Sequence, residues 1–417
     1  MTTATGPDVQ VRLLAPAGGA QPVASLLAAI AEPAEPFSVA RQQTLARLSR
    51  AILQDARLRA DAASVALGYW LRRANVERLV QDFERRRAAA PDTVFVATGR
   101  VFHVAPANVD TVFVYSWALS YLCGNRNVVR VSAQPSEVLA RLLEVVSALM
   151  RDDAELAGDR FVTYEHDQAI SETLSRWATH RVVWGGDDTV ALFRGMPLSA
   201  HASERAFGTK FSYGVISTGA YLAASDETVE RLAAGFFNDL FWFEQMACSS
   251  PHQLFWVGPP EHLDSALARF HRTLAGEIER RGYRGATSSA VRRLNFVFDL
   301  ACETDLRTDL AHKEFLPVRL ADGAGWRKEV CGGGLFTHAR ADDLAQVAAF
   351  GGPGDQTVTH FGFAPAELRA LAQRAGARGV DRLVPVGEAL AFDVTWDGYD
   401  LIGDFLRRVT VRLGAQA

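Results

Sequence analysis

Apolar strand-like runs alternate with helical segments through the middle of the chain, and this alternation restricts the fold more than any other feature of the sequence. Runs typical of strands cover Asn125–Val131, Arg160–Tyr164 and Arg181–Trp184, and they are separated by helical segments at Ser136–Met150 and Ser171–Thr179. Strands that alternate with helices in this way pair in parallel, with helices on both faces of the sheet. The sequence therefore predicts an α/β fold.

The pattern continues in the C-terminal half of the chain. A second α/β segment is predicted from about Lys210, with strands at Val215–Ser217, Gln253–Val257, Asn295–Phe298, Leu383–Gly387 and Leu406–Leu413 and helices at Thr228–Asn238 and Pro260–Arg281. A chain of 417 residues is long enough for two or three domains of this kind.

The N-terminal part of the chain has a different composition. Residues 1–36 are rich in Ala, Pro and Gly, and we predict a loose entry segment with little helix. From Ser38 to Arg87 apolar residues recur at helical spacing, which predicts amphipathic helices. The segment Asp92–Pro106 is predicted to form a hairpin of two strands around Thr98-Gly99, and the Gly-rich segment Asp322–Gly334 is predicted to be an exposed loop.

Composition and charge exclude several classes of protein. With 48% hydrophobic and 22% charged residues the chain can form a core, and at a net charge of −4 it has no basic stripe for nucleic acid. No apolar run approaches the ~20 residues that span a bilayer, and the N-terminus has no signal-peptide pattern, so we predict a cytoplasmic protein. The cysteines lack CxxC or Cys/His spacing, which indicates a reducing compartment and no metal site: Cys123, Cys248, Cys302 and Cys331.

Cys248 is the strongest candidate for a catalytic residue. An aromatic segment from Phe236 runs into the small and polar residues Ala247–Ser250, Pro251 breaks the local structure, and a strand follows. The thiol is thus predicted to lie at a turn between two ordered elements, where a substrate can reach it. A thiolate is a strong nucleophile near neutral pH, and its thioester is readily attacked again. The alternative is a buried core cysteine, a common environment for this residue type.

Two strand ends have features of a dinucleotide site. Gly185 and Gly186 end one predicted strand just before a helix, where backbone N–H groups can approach a phosphate. Arg130 and Ser132 lie at the carboxyl end of another strand, and the planar guanidinium of Arg130 suits a phosphate. The alternatives are a structural turn and a solvated arginine. If the functional interpretation holds, Arg130 favours the 2′-phosphate of NADPH, with NADH as the other candidate.

The chain resembles a known family in five segments. His103–Ser132, Phe207–Ser217 and Trp242–Val257 resemble three segments of the aldehyde dehydrogenase superfamily: a Pro-x-Asn turn before a helix and a strand, a Gly-Gly-Lys segment, and the catalytic-cysteine turn. The Gly-Gly-Asp of Val182–Asp188 and the tail Val380–Ile402 are similar to the LuxC-like acyl-CoA reductases within that superfamily. The resemblance extends from about Val94 to Ile402.

The resemblance implies an aldehyde-dehydrogenase-like architecture. A Rossmann-type cofactor domain would comprise residues 1–90, as its helical N-terminal part, and residues 106–209, and an α/β catalytic domain would comprise residues 210–403. Strands within 91–105 and 404–414 would form a small β oligomerisation arm, and a homodimer or tetramer is expected.

The resemblance also implies roles for individual residues. Cys248 would attack an acyl thioester, and the Asn108 side chain, together with the backbone N–H of Cys248, would stabilise the oxyanion. The alternative for Asn108 is a turn or cap residue. Glu314 and Phe315 fall near the positions that contact the cofactor ribose and nicotinamide in the superfamily.

Three further features receive no catalytic role. Gln356-Thr357 resembles a family segment near the active site, without an assignable chemistry. Asp397-Gly398 is predicted to make a turn beside a packed Trp396. His252 is predicted to be a surface or packing residue, with an effect on the thiol pKa as the alternative.

One departure from the superfamily pattern bears on the direction of the reaction. The general base of hydrolytic aldehyde dehydrogenases falls on Ala206, although Glu204 lies nearby, and without that base water attacks an acyl-enzyme slowly. We therefore predict NADPH-dependent reduction of an acyl thioester, from acyl-CoA or an acyl-carrier protein, to an aldehyde. The alternatives are an NAD(P)-dependent aldehyde dehydrogenase running oxidatively and a thiol acyltransferase without redox activity.

Overall fold

The computed structural model describes residues 9–30, 32–320 and 329–412, which form two compact units. The first unit contains the described residues up to Gly208 and from Tyr399 onward, and the second runs from Thr209 to Gly398. The strands in chain order are β1 (Gln10–Ala15), β2 (Ala20–Pro22), β3 (Thr93–Ala97), β4 (Arg100–Val104), β5 (Arg126–Arg130), β6 (Arg160–Thr163), β7 (His180–Trp184), β8 (Ser203–Phe207), β9 (Phe211–Ser217), β10 (Pro251–Val257), β11 (Leu306–Thr308), β12 (Leu316–Leu320), β13 (Leu335–Ala341), β14 (Asp355–Phe361), β15 (Arg382–Pro385), β16 (Thr395–Trp396), β17 (Tyr399–Asp400) and β18 (Leu406–Thr410). The helices are α1 (Val23–Ala28), α2 (Val39–Gln54), α3 (Ala62–Trp70), α4 (Arg73–Ala88), α5 (Val112–Leu122), α6 (Glu137–Asp152), α7 (Gln168–Trp177), α8 (Asp187–Arg194), α9 (Thr218–Ala223), α10 (Asp226–Phe241), α11 (Leu263–Arg281), α12 (Thr287–Ala301), α13 (Leu344–Phe350), α14 (Pro365–Gly376) and α15 (Leu401–Asp404).

The first unit is built on a seven-stranded sheet in the order β2-β1-β6-β5-β4-β7-β8. The strands from β6 to β8 are parallel, and β1 pairs antiparallel with both β2 and β6. Phe102, Val128 and Val183 from its central strands pack against Leu174 and Phe193 of the covering helices. Central parallel strands are buried on both faces, which explains their continuous apolar runs in the sequence.

Helix α6 illustrates why these segments become helices. The Ser136 hydroxyl accepts a hydrogen bond from the backbone N–H of Leu139 at 3.0 Å and so caps the first turn. Leu139, Leu142 and Val146 then recur at helical spacing and are buried. The amphipathic helices predicted between Ser38 and Arg87 are likewise confirmed as α2, α3 and α4.

Two predictions for the first unit are wrong. Residues 1–36 contain β1, β2 and α1, and Val11 and Ala15 of β1 are buried. The predicted hairpin at Asp92–Pro106 does not form, because β3 pairs antiparallel with β18 whereas β4 enters the sheet between β5 and β7. Four consecutive buried residues in β4 are typical of a central parallel strand rather than of one arm of a hairpin.

The β3–β18 pair is the ribbon for which an oligomerisation role was expected. Val94 lies opposite Val409 in its register, and both side chains are substantially exposed. The assembly of a homodimer or tetramer through this ribbon stays a prediction.

The second unit contains another seven-stranded sheet, in the order β11-β12-β13-β10-β9-β14-β15. All its neighbours pair in parallel except β11, which is antiparallel to β12. On one face, Phe236 of α10 and Phe270 of α11 pack against Trp256 of β10. On the other, Leu371 of α14 packs with Val358 of β14.

One prediction for the second unit is wrong and another holds only in part. Asn295–Phe298 lies inside α12 rather than in a strand, since Arg293, Val297 and Leu300 are buried at the 3.6-residue period of a helix. The predicted exposed loop Asp322–Gly334 lies outside the described residues up to 328; of its described part, Glu329 and Val330 are exposed, whereas Cys331 to Gly334 are buried. Among the described helices, none combines the length and apolarity needed to cross a membrane.

Candidate active site

Cys248 lies in the connection between α10 and β10 of the second unit, as the sequence predicted. A turn closes around it, with the backbone N–H of Ser250 donating to the carbonyl of Ala247 at 3.0 Å. As a residue Cys248 is partly exposed, whereas Cys123 and Cys331 are buried. Its place in a turn between two elements, rather than inside one of them, fits the predicted nucleophile better than a core cysteine.

The buried side chain of Gln245 holds this connection in place. Gln245 adopts a left-handed backbone with φ of 60°, an unusual conformation for a residue other than glycine. Its Nε2 donates to the carbonyl of Pro251 at 2.9 Å, and its Oε1 accepts from the N–H of Gly334 at 3.0 Å. The loop that carries the thiol is thus tied to both the start of β10 and the residue before β13.

A second tie fixes the backbone of Cys248 itself. The hydroxyl of Ser212, on β9, donates to the Cys248 carbonyl at 2.7 Å and accepts from the N–H of Thr357 at 3.1 Å. Strand β9 lies between β10 and β14, so one hydroxyl links the thiol loop to two strands. The position of Cys248 is therefore set by the sheet as well as by its own turn.

Three successive glycines contact the thiol loop. Gly332, Gly333 and Gly334 all have left-handed φ angles, of 74°, 63° and 84°. A Cβ on Gly334 would lie 2.7 Å from the carbonyl oxygen of Glu314, closer than packing allows. The N–H of Gly333 donates to the carbonyl of Glu244 at 2.7 Å, so these glycines bring backbone within hydrogen-bonding distance of the thiol loop.

The sulfur of Cys248 accepts a hydrogen bond from Gln356, a side chain without a chemical role in the sequence analysis. Nε2 of Gln356 lies 3.2 Å from Sγ, and the same nitrogen lies 2.5 Å from Oδ1 of Asp397. Oε1 of Gln356 accepts from the hydroxyl of Thr357 at 3.2 Å, and that hydroxyl accepts from Nε of Arg382 at 2.9 Å. Asp397 is therefore part of the thiol site and more than a turn residue.

Burial and charge control the ionisation of these groups. Burial, together with the negative charge of Asp397, raises the pKa of the Cys248 thiol to about 11, while the Gln356 hydrogen bond and Arg382 act in the opposite direction. Burial likewise raises the pKa of Asp397 to about 6, against the lowering effects of Gln356 and Lys210. At neutral pH Cys248 is thus a thiol that must lose its proton to act as a nucleophile.

His252 does not supply a positive charge to this site. It is buried, and burial lowers its pKa to about 3, so the imidazole is neutral at physiological pH. The prediction of a packing residue fits this environment, since its ring lies 5.6 Å from that of Phe211.

One cluster in the second unit has the side-chain types of a metal site. Ligand atoms of His271, Asp309 and His312 lie within 4.8 Å of one another. However, Nε1 of Trp256 donates to Nδ1 of His338 at 2.9 Å, so Nε2 of His338 carries the proton. That nitrogen lies 2.8 Å from Nε2 of His271 and donates to it, which occupies the His271 lone pair. A metal at His271 would have to break this hydrogen bond.

The remaining predicted residues of the second unit are not on the thiol loop. The Glu314 carboxylate accepts from the backbone N–H of Gly285 at 2.7 Å. Phe315 is buried in the core, where its ring stacks on that of Phe336 at 5.7 Å. Asn108 belongs to the first unit, in the exposed connection between β4 and α5. The roles of these three residues in cofactor and oxyanion binding stay predictions.

Arg130 of the first unit lies where the sequence predicted, at the carboxyl end of β5. Its guanidinium lies 4.8 Å from the ring centre of Tyr164, and its Nε is buried without a hydrogen-bond partner among the described residues. Because a buried nitrogen is not open to an approaching anion, the phosphate role of Arg130 stays a prediction. The Ser132 hydroxyl is engaged locally, accepting from the N–H of Gln134 at 3.2 Å.

The turn at Gly185 and Gly186 fits a phosphate less well. A Cβ on Gly185 would lie 2.9 Å from the Thr189 side chain, so close packing of α8 already explains that glycine. The first turn of α8 carries Asp187 and Asp188, and two carboxylates oppose an anion at a helix N-terminus. A phosphate role for this turn, as for Arg130, stays a prediction.

The fold is that of the aldehyde dehydrogenases. The chain superposes on the NAD-dependent aldehyde dehydrogenase from Sinorhizobium meliloti with a TM-score of 0.66 and 12% identity, covering 94% of this chain and 87% of that one. It superposes on the methylmalonate-semialdehyde dehydrogenase DddC from Oceanimonas doudoroffii with a TM-score of 0.65 and 12% identity, covering 99% and 97%. These matches confirm the predicted fold class.

Sequence comparison gives the family. Residues 76–284, half of the chain, match the family described as acyl-CoA reductase (LuxC), and the chain belongs to this family, as predicted. It is 25% identical over 166 residues, 38% of its length, to the long-chain acyl-protein thioester reductase 2 of Photobacterium leiognathi. The match spans 32% of that relative, about a third of its length. Gln356 and Asp397 lie outside the segment matched by the family.

Proposed function

We propose that the protein reduces an acyl thioester to an aldehyde, through an acyl group held on Cys248, with a reduced nicotinamide dinucleotide as hydride donor. The observation that carries the proposal is the Cys248 turn, whose backbone is held by Gln245 and Ser212 and whose sulfur accepts a hydrogen bond, in a member of the acyl-CoA reductase family. The relative from Photobacterium is named as an acyl-protein thioester reductase, which favours a thioester substrate.

The chemistry divides into two steps at one sulfur. After losing its proton, Cys248 attacks the thioester carbonyl carbon, the bond to the donor's sulfur breaks, and the acyl group stays on the enzyme as a new thioester. When bound, a reduced nicotinamide supplies a hydride to that carbonyl carbon. Hydride addition would leave a negative charge on the carbonyl oxygen, and as that oxygen re-forms the carbonyl the bond to Cys248 breaks, which releases the aldehyde and returns the thiolate.

The structure also favours the reductive direction. Ala206, at the position of the hydrolytic base, has no acid–base side chain, and the neighbouring Glu204 is engaged with Arg181 at 2.6 Å. The guanidinium of Arg181 is buried, and its partner carboxylate is therefore a poor candidate for activating water. An acyl group on Cys248 should thus persist long enough to be reduced.

Arg130 is the proposed contact for an adenosine phosphate, which favours NADPH, with NADH as the alternative. The acyl donor would be acyl-CoA or an acyl-carrier protein, and Asn108 would stabilise the oxyanion.

Intact-mass spectrometry tests the proposal directly. The protein is incubated with a panel of acyl-CoA thioesters without a reductant, and a mass increase equal to one acyl group is expected on the wild type and absent from Cys248→Ala. Cys302→Ala, which removes an exposed thiol elsewhere, is the matched control and should retain the adduct. Addition of NADPH should then discharge the adduct and release a trappable aldehyde.

The alternatives predict different results. An acyltransferase would form the adduct without consuming NADPH, and an oxidative dehydrogenase would reduce NADP⁺ when given an aldehyde but leave acyl-CoA and NADPH unchanged. Aldehyde production at an undiminished rate by Cys248→Ala would refute the proposed function.

A further inference from the structure

We propose that Gln356 and Asp397 are positioning residues for the nucleophile: Asp397 fixes the Gln356 side-chain amide, which keeps one N–H directed at the sulfur of Cys248 during acyl transfer. The claim that these residues assist acyl transfer rests on the proposed function, whereas the hydrogen bonds themselves do not. Neither residue is in the segment that matches the family, and the sequence pattern predicted a chemical role for neither of them.

The amide has one orientation that satisfies all its neighbours. Its two N–H groups point at Oδ1 of Asp397, 2.5 Å away, and at Sγ of Cys248, 3.2 Å away. Its oxygen accepts from the Thr357 hydroxyl at 3.2 Å. Rotating the amide by half a turn would place its oxygen against the carboxylate and sulfur, so the neighbours fix which atom faces Sγ.

A cation sets the direction of the hydrogen bonds from the other end. Nε of Arg382 donates to the Thr357 hydroxyl at 2.9 Å, which leaves the hydroxyl proton for Oε1 of Gln356. The guanidinium also donates to the carbonyls of Ala389 and Ala391 and lies 4.5 Å from the ring centre of Trp396. Each group thus donates to the next one: the Arg382 guanidinium to the Thr357 hydroxyl, that hydroxyl to Oε1 of Gln356, and Nε2 of Gln356 to Sγ of Cys248.

This arrangement matters most when the sulfur carries charge. An N–H bond to a thiolate is stronger than one to a thiol, so Gln356 stabilises the attacking sulfur and the sulfur released from the thiohemiacetal. The Asp397 carboxylate has the opposite effect through its charge. Since Asp397 is faced by Lys210, Asp381, Arg382 and Cys248, its ionisation depends on all four. Burial raises its pKa to about 6, so it is mainly ionised at pH 8.

The two effects of Asp397 can be separated by measuring two rates. The rate of iodoacetamide alkylation of Cys248 reports thiolate formation. The rate at which the acyl adduct forms reports thiolate formation together with the orientation of the sulfur. All variants carry Cys302→Ala, which removes a competing exposed thiol. Melting curves select the variants that remain folded.

Asp397→Ala should raise alkylation at pH 8 by about threefold, because a negative charge near the thiol is lost, but lower acyl transfer about tenfold, because the amide is no longer fixed. Asp397→Asn keeps an acceptor for the amide, so it should also raise alkylation yet retain acyl transfer to within about threefold of the wild type. Gln356→Ala should lower both rates by about threefold or more, since the sulfur loses its donor.

The matched control is Asp381→Asn. Its carboxylate pairs with Lys210 at 2.9 Å, and its one hydrogen bond to Gln356, from its backbone N–H to the Gln356 carbonyl at 2.9 Å, is kept in the variant. The charges that act on the Cys248 thiol are those of Asp397 and Arg382, and Asp397 is mainly ionised at pH 8, so alkylation at that pH should stay within about twofold of the wild type. If the Asp397 variants fail to fold, the wild-type profile gives a second test. Protonation of Asp397 should then produce a shoulder in the logarithm of the alkylation rate near pH 6.

The inference would be overturned if Asp397→Ala or Gln356→Ala kept both its alkylation rate and its acyl-transfer rate within twofold of the wild type. It would also be overturned if the pH profile of wild-type alkylation had no shoulder near pH 6. Absence of any acyl adduct on the wild type refutes the proposed function instead. In that case the alkylation rates still decide whether Gln356 and Asp397 control the sulfur.

Discussion

Replacing Gln245 by alanine should destabilise the second unit strongly, because this one side chain ties together three parts of the site. Its Nε2 bonds to the carbonyl of Pro251 and its Oε1 to the N–H of Gly334. Gln245 is fully buried, so solvent cannot replace either bond in Gln245→Ala. The truncated residue would also keep a left-handed φ of 60° without side-chain contacts to favour it.

The size of the effect follows from these losses. Each buried backbone group left without a partner costs about 1–2 kcal/mol, and loss of buried side-chain volume adds to this, for a total of about 3 kcal/mol or more. For a unit of the size of Thr209–Gly398, ~1 kcal/mol lowers the melting temperature by ~2–4 °C, so a decrease of about 6 °C or more is expected.

Differential scanning calorimetry measures the effect, with Gln346→Ala as the control. The exposed side chain of Gln346 also makes two hydrogen bonds, both to Asp342, at 2.9 and 2.8 Å. Because both bonds are exposed, water can replace them in Gln346→Ala, and no buried polar group is left without a partner. The free energy of unfolding of this variant should change by less than about 0.5 kcal/mol. A Gln245→Ala protein that melts within about 2 °C of the wild type would refute the reasoning about the loop.

Three further predictions address ionisation and the cofactor. Because burial raises the pKa of Cys248 to about 11, its alkylation rate should rise about tenfold per pH unit from pH 7 to 10, and a plateau below pH 9 would contradict this. Burial raises the pKa of Asp239 to about 7, above its unfolded value of 3.8, so its contribution to stability is present at low pH and is lost as the pH rises from about 4 to 7. Asp239→Asn should remove that dependence in urea titrations at pH 5 and 7.5, and a difference from the wild type that stays constant with pH would count against it. Arg130→Gln should raise KM for NADPH about tenfold and change KM for NADH by less than about threefold, whereas equal increases would argue against a phosphate contact.

The sequence predicts those parts of the fold whose signals are local. The central strands β5, β6 and β7 are short apolar runs between capped or amphipathic helices, and each was predicted to within a few residues. Strand β1 was missed because it lies at the sheet's antiparallel side within an Ala- and Gly-rich segment. Helix α12 was mistaken for a strand because four apolar and polar residues, read alone, do not distinguish the two periods.

The residues of the candidate site likewise differ in whether a local sequence signal predicts them. Cys248 could be predicted because its turn, its aromatic approach and its following strand are contiguous in the sequence. Gln356 could not, because it is 108 residues away and reaches the sulfur only when β14 pairs with β9. Asp397 is a further 41 residues along, so no spacing rule connects the three side chains. The pairing of β14 with β9 brings Gln356 to the sulfur, and the turn between β16 and β17 brings Asp397 to Gln356.

The run Gly332–Gly334 has a consequence for how this protein can vary. Any codon change that replaces one of these glycines adds at least a β-carbon at a backbone angle that L-residues rarely adopt. The stretch should therefore be almost invariant in a deep mutational scan selected for function. Substitutions that change substrate preference should therefore accumulate at other positions around Cys248 and not at Gly332–Gly334.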